Sequence, residues 1–294
     1  MDAVVLGAGG QLGVEMVREL ETRGYQVLAL SRRHLNITVE SELEAVMERS
    51  SPRWTINCAA YNLVDLAESE PEKAMAVNGL AVRGLAQVCR RFGSALLHYS
   101  TDHVFDGRSE RPYGEEDLPA PPSAYGVSKL AGEHFARAYC ENAYVVRVAG
   151  VFGPAGAITR HGNFPELIYK RTSGGEALRI VSDYFSTPTY APALASRSVD
   201  LLEKAAPGLY HLGGGETISW YEWARKIAAV AGLSPDLISP IGHVDYPTPA
   251  KRPQYASLAN AKAEALGIAA MPSLDQAAAE WLELRNKIGA ARES

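Results

Sequence analysis

Cysteine is scarce in this chain: Cys58, Cys89 and Cys140 are the three among 294 residues. None forms a C-x-x-C pair and no histidines gather near them. That excludes a disulfide framework and a zinc spacing, and no metal is expected. The three read as buried free thiols in a reducing compartment. Long apolar runs are missing too. Nothing approaches the roughly 20 residues of a membrane helix. The opening Met1-Asp2-Ala3-Val4-Val5-Leu6-Gly7 lacks the basic start and long apolar stretch of a secretion signal. Nor is positive charge in excess: 29 Lys and Arg stand against 34 Asp and Glu, for a net charge of −5. Such a balance offers nothing to nucleic acid or an anionic membrane. A cytoplasmic protein is the expectation, with no internal repeat, low-complexity tract or long linker.

What is present is apolar bulk, 47% of the residues, enough for one large α/β domain or a larger and a smaller one. Residues 3–6, 26–30, 54–57, 95–100 and 143–147 read as short buried strands. Residues 11–23 and 71–91, and the stretch around Tyr125, read as helices between them. Strands alternating with helices predict an α/β fold, a Rossmann-type parallel sheet covered by helices on both faces. Beyond Gly150 the alternation fades into loop chemistry such as Gly153-Pro154-Ala155-Gly156, with helices expected at 191–204, 219–231 and 273–288. The expected division is a dinucleotide domain over 1–150 and, mainly over 151–294, a smaller substrate domain with segments returning to the first. Ligands of open α/β sheets bind at the carboxyl edge that this domain would cover.

Gly7-Ala8-Gly9-Gly10-Gln11-Leu12-Gly13 follows the first strand and opens the first helix. Glycine lets the backbone turn sharply and approach a pyrophosphate, while a helix N-terminus offers free N–H groups and partial positive charge. Strand before and helix after raise the motif above a bare glycine repeat. The second strand runs out at Ser31-Arg32-Arg33. An NAD-preferring site places a carboxylate there for the ribose 2′-hydroxyl. Ser31 and Arg32 suit a 2′-phosphate instead, so NADPH is expected over NADH, with NADH use possible.

Tyr125 and Lys129, in Ser123-Ala124-Tyr125-Gly126-Val127-Ser128-Lys129, lie four apart on one helix face. An ammonium beside a phenol favours the phenolate, lowering its pKa from about 10 and making Tyr125 a proton donor near neutral pH. The strand at 95–100 runs into Thr101-Asp102-His103-Val104-Phe105-Asp106-Gly107, so Ser100 or Thr101 reaches the same crevice. Thr101, Tyr125 and Lys129 form a hydroxyl–phenol–ammonium set suited to ketone reduction: hydride to carbon, proton from Tyr125, hydrogen bonds to the developing alkoxide. His98 and His103 flank the set in structural or lining roles. Asp102 and Asp106 shape the loop. Trp220, Tyr221 and Trp223 at helical spacing read as core before they read as a stacking platform.

These segments resemble the extended short-chain dehydrogenase/reductase superfamily, and within it the dTDP-4-dehydrorhamnose reductases. The glycine loop, Asn57-Cys58-Ala59-Ala60-Tyr61-Asn62, Ala76-Val77-Asn78, Ser100-Thr101-Asp102-His103-Val104-Phe105-Asp106-Gly107 and Tyr125 to Lys129 carry the likeness. Asn163-Phe164, Thr187-Pro188-Thr189-Tyr190, Ser219-Trp220-Tyr221-Glu222 and Arg252-Pro253 extend it over nearly the whole chain. The resemblance implies catalysis by Thr101, Tyr125 and Lys129. It implies a pyrophosphate on Gly7, Gly10, Gln11, Leu12 and Gly13, and an adenine beside Asn36 and Ile37. It places the nicotinamide side against Ala59, Ala60 and Tyr61 with Asn78 and Ser100 nearby, and Lys129 on the nicotinamide ribose. Asn62, Val104, Phe105 and Asn163 would face a dTDP-sugar, and the later segments at Thr187-Pro188-Thr189-Tyr190, Ser219-Trp220-Tyr221-Glu222 and Arg252-Pro253 would cover its nucleotide half. A monomer or homodimer is expected. Glu15, a metal-linked dimer contact in some relatives, is read here as part of a solvated helix face.

Gly150 stands where these reductases commonly carry a substrate-contacting tryptophan, Asn62 where threonine is usual and Leu66 where lysine is usual. The departures touch the sugar side and leave the hydride machinery. Two alternatives stay open. One is another nucleotide-sugar reductase, epimerase or dehydratase, though dehydratases carry Asp-Glu where this chain has Asp102-His103. The other is a non-catalytic NADP-binding regulatory subunit similar to the β subunit of methionine adenosyltransferase.

Overall fold

The computed structural model describes residues 1–157 and 162–293. Its centre is a six-stranded parallel sheet. The chain enters it through β1 (Ala3–Leu6), α1 (Gln11–Thr22), β2 (Val27–Leu30), α2 (Glu40–Ser50) and β3 (Trp54–Asn57). Two short helices follow, α3 (Leu66–Ser69) and α4 (Pro71–Met75), then α5 (Ala81–Phe92), β4 (Ala95–Thr101), α6 (Ala124–Tyr139) and β5 (Ala143–Val148). Beyond them come α7 (Phe164–Ser173), β6 (Leu178–Val181), β7 (Phe185–Ser186), α8 (Ala191–Lys204) and β8 (Gly208–His211). The chain continues through β9 (Ile218–Ser219), α9 (Trp220–Val230), β10 (Ile238–Ile241), α10 (Ala261–Ala265) and α11 (Leu274–Glu293).

The sheet order is β2-β1-β3-β4-β5-β8. Strand β1 pairs with β2 on one side and with β3 on the other, so Ala3 faces both Val27 and Trp54. The chain reverses direction across the sheet there, and a crevice opens beyond the carboxyl ends of β1 and β3. Val4, Val5 and Leu6 are buried on both faces, as a central parallel strand requires. One face packs Met16 and Leu20 of α1 with Leu194 and Val199 of α8. The other packs Leu43 and Met47 of α2 with Leu85 and Val88 of α5.

The expected Rossmann-type architecture is present, with refinements the sequence did not indicate. The helix expected over 71–91 is interrupted by a π-helical turn at Ala76–Leu80. Among the later residues, α8 packs on α1, and β8 joins the main sheet beside β5, with Tyr144 opposite Gly208. The rest builds a second layer of β6 paired with β10, β7 paired with β9, and helices α7, α9 and α11. Its core is filled by Trp223 and Trp281, each 1% exposed. Glu15 is a correction. It is buried on α1, one carboxylate oxygen 2.6 Å from Arg18 and the other without a partner among the described residues, and burial raises its pKa. All three cysteines are free. Among the described residues no helix is long and apolar enough to cross a membrane.

Candidate active site

The glycine loop turns at Gly7, whose φ is +74°. A Cβ there would lie 2.6 Å from the Ala59 nitrogen in the loop after β3. One on Gly13 would lie 2.2 Å from the Gly7 carbonyl oxygen. Side chains would fill this cradle, so its floor is bare backbone. Helix α1 begins at Gly10 with no side-chain cap and no acidic residue in its first turn. Its leading N–H groups therefore remain available to an anion. Gln11 reaches across instead, its Nε2 donating to Val151 O at 2.8 Å and its Oε1 accepting from Asn163 Nδ2 at 2.6 Å.

At the end of β2, Ser31 and His34 contact each other through Oγ and Nδ1 at 3.2 Å. Arg32 and Arg33 are exposed, and among the described residues neither guanidinium has a hydrogen-bond or ion-pair partner. The residues thus fit a dinucleotide carrying a 2′-phosphate: an open glycine cradle beside two unengaged planar cations. Asn36 is exposed, its Oδ1 accepting from Thr38 N and Oγ1 at 3.2 and 2.9 Å, while Ile37 is buried.

The loop after β3 carries Ala59, Ala60, Tyr61 and Asn62. It is held by Asn78, which sits in the π-helical turn. Asn78 Oδ1 accepts from Tyr61 N at 2.8 Å, and Nδ2 donates to Tyr61 O and Ser128 Oγ at 3.0 Å each. A rare helical irregularity thus clamps this loop to the helix that carries Tyr125, and such turns recur at functional sites.

Helix α6 is capped by Ser123 Oγ, which accepts from Gly126 N at 3.2 Å. One turn on, Lys129 Nζ donates to Tyr99 O at 2.6 Å. The Tyr125 hydroxyl points to Asn62 Oδ1 at 3.5 Å, and the His103 ring meets the Tyr125 ring edge-on at 5.5 Å. Thr101 Oγ1 donates to Asp102 Oδ1 at 3.0 Å and accepts from His103 N at 3.2 Å. The structure brings Thr101, Tyr125, Asn62 and His103 to one end of the crevice, with Lys129 beneath.

The electrostatics differ from the sequence-based expectation. Burial raises the Tyr125 pKa well above its ordinary value, only partly opposed by the Thr101 hydroxyl, and nearby Asp102 raises it further. Lys129 does not lower it. Burial pushes the lysine itself down to about 8, with Glu133 acting in the other direction. The cause is desolvation, which disfavours both charged forms. Asp102 is likewise raised by burial, and His103 is lowered by burial against the pull of Asp102.

Four of the expected ligand-side residues have side chains engaged within the protein. Val104 and Phe105 do not present their side chains to the crevice. Both are wholly buried, with Phe105 stacked on Tyr113 at 4.1 Å. Ser100 is engaged elsewhere, its hydroxyl donating to Glu133 Oε1 at 2.5 Å. That carboxylate also holds Arg147 at 2.9 and 2.7 Å. Asn163 caps α7 through Glu166 N at 2.9 Å besides bonding Gln11, so its amide is already engaged. Sequence reasoning missed Glu133, the buried hub beneath Ser100, and the clasp from Arg252 to Asp65, in the loop after β3, at 2.9 and 2.8 Å. Arg252-Pro253 was the available signal for the clasp.

A family model described as RmlD substrate binding domain matches residues 1–286. The chain is 35% identical over 265 residues to the spore coat polysaccharide biosynthesis protein SpsK of Bacillus subtilis, covering 90% of this chain and 91% of the relative. It is 36% identical over 274 residues to a dTDP-4-dehydrorhamnose reductase of Streptomyces griseus, covering 90% and 88%. A crystal structure of dTDP-4-dehydrorhamnose reductase from Bacillus anthracis in complex with NADP matches with a TM-score of 0.90 at 29% identity, covering 96% of this chain and 99% of that one. With the glycine cradle and the Thr101–Tyr125–Lys129 set already in place, the chain belongs to the RmlD family, that of the dTDP-4-dehydrorhamnose reductases, and is an NAD(P)-dependent oxidoreductase.

Proposed function

We propose that this protein reduces the 4-keto group of dTDP-4-dehydro-L-rhamnose to give dTDP-L-rhamnose, with NADPH as its preferred cofactor and Tyr125 as proton donor. The observation that carries the reading is a buried Tyr125 beside Thr101 and Asn62 at the carboxyl end of the sheet, next to the glycine cradle.

Gly7, Gly10, Gln11, Leu12 and Gly13 would hold the pyrophosphate on backbone N–H groups. Ser31 and Arg32 would hold the 2′-phosphate, and Ala59, Ala60 and Tyr61 would border the nicotinamide. Bound NADPH supplies the hydride that reduces the ketone carbon. Tyr125 gives its phenolic proton to the oxygen of that carbon, so the carbonyl becomes a hydroxyl and tyrosinate remains. Thr101 donates a hydrogen bond to the same oxygen while negative charge builds on it. The high resting pKa of Tyr125 keeps its proton in place until that charge develops. The tyrosinate regains its proton from water, and Lys129, on the same helix face, would hold the nicotinamide ribose. Oriented by the π-turn Asn78, the loop bearing Asn62 keeps the keto oxygen against Tyr125.

The test follows NADPH oxidation with dTDP-4-dehydro-L-rhamnose formed in situ by upstream enzymes. Native protein is expected to turn over, and Tyr125→Phe to lose about 10²–10⁴-fold in kcat while keeping its NADPH affinity. Near-normal turnover by the phenylalanine variant would remove Tyr125 from its role. No turnover by native protein that still binds NADPH would remove the substrate assignment.

A further inference from the structure

Gly150 lies just past β5, with φ of +48°. A Cβ built on it would meet Trp220 Cη2 at 3.3 Å, Pro188 Cα at 3.5 Å and Ser186 Oγ at 3.8 Å. The space above the glycine is thus taken by an indole from another element. Trp220 is the first residue of α9, and Ser219 and Glu222 cap that helix reciprocally. The cap fixes where the indole starts, and the ring packs edge-on against Phe164 at 4.7 Å. Trp223 is sealed in the outer core, whereas Trp220 stays half-buried.

Its surroundings lead to the reacting groups. Ser186 Oγ donates to Asp102 Oδ2 at 3.5 Å, and Asp102 accepts from Thr101. On the other side Phe164 follows Asn163, which bonds Gln11 of the glycine loop. The half-buried pair Phe164–Trp220, packed against the outer core, thus has neighbours bonded to the cofactor cradle on one side and to the Thr101 end of the crevice on the other.

We propose that Trp220 is a specificity-determining residue, the aromatic wall on which the sugar ring of the substrate packs, and that Gly150 is the small residue that admits it. A 6-deoxy sugar offers a methyl group and a face of C–H bonds, the chemistry an indole face accepts. The inference rests on the proposed reductase reading and assigns the sugar half of that site to α9.

The experiment compares native protein, Trp220→Ala and Trp220→Phe. Steady-state kinetics with dTDP-4-dehydro-L-rhamnose give kcat and KM. Calorimetric titration with dTDP-L-rhamnose and with dTDP separates sugar from nucleotide, and NADPH titration with thermal unfolding reports on the rest of the fold. Trp220→Ala is expected to raise KM and weaken dTDP-L-rhamnose by about tenfold. Affinity for dTDP and NADPH should change less than twofold, and Trp220→Phe should recover most of the loss. Unchanged KM in Trp220→Ala, or equal losses for dTDP and dTDP-L-rhamnose, would overturn the assignment while leaving the reductase intact. If native protein binds dTDP-L-rhamnose no better than dTDP and reduces nothing, the reductase reading falls and this wall with it.

Discussion

Two residues of the motif behave differently once folded. Tyr125 and Lys129 were legible as a pair because their spacing alone puts them on one helix face. Their protonation was not, because desolvation depends on what the rest of the chain lays over them. Lys129 is 3% exposed, and its pKa falls from 10.5 to about 8. Below pH 8 it is charged in folded and unfolded chains alike, so its burial cost, roughly 3 kcal/mol, opposes folding in full. Between pH 8 and 10.5 the folded amine is neutral while the unfolded one still holds its proton. Folding releases that proton, and the contribution of this residue to stability rises with pH. Lys129→Met is expected to abolish turnover yet raise the Tm of cofactor-free protein by a few degrees at pH 7. That advantage should shrink as calorimetry is repeated from pH 8 towards 10. Arg32 carries a separate expectation. Exposed and without a partner among the described residues, it is free to meet a 2′-phosphate, so Arg32→Ala should raise KM for NADPH about tenfold and leave KM for NADH almost unchanged. Val104 and Phe105 show the opposite limit of a sequence: their place beside Thr101 was visible, but the inward turn of their side chains was not.

Among elements, the first five strands and the glycine loop were readable from short apolar runs bounded by turns. Strand β8 was not, since four residues so far along the chain carry no sign of which edge they will join. The π-helical turn at Ala76–Leu80 was equally silent, because its register depends on Asn78 meeting Tyr61 and Ser128 across the crevice. Helix α6 and strand β5 are tied by the buried pair Glu133–Arg147, whose side chains are 4% and 3% exposed. Both partners sit out of water, so losing one strands the other. Arg147→Met should cost about 3–5 kcal/mol in denaturant unfolding, and a loss under 1 kcal/mol would show that water reaches Glu133. The same carboxylate accepts from Ser100, next to Thr101, so the unfolding defect should come with a drop in kcat.

For the molecule as a whole, the boundary expected near residue 150, with segments returning across it, marks where the regular alternation ends. Strand β8 lies beyond that point yet completes the sheet edge at β5, and α8 covers α1. A fragment of residues 1–150 would bare an unpaired parallel strand and the apolar face of α1, a surface that associates. It should enter inclusion bodies or elute as aggregate in gel filtration, and a folded monomer would contradict the interdependence. The interleaving also bears on how this scaffold can change over time. The parts proposed to recognise the sugar and those proposed to carry the dinucleotide share one continuous fabric, so recombination would not trade one half for another as a cassette. New sugar preferences must arise by local exchange within the intact chain, as between a bulky residue at one position and a glycine at another.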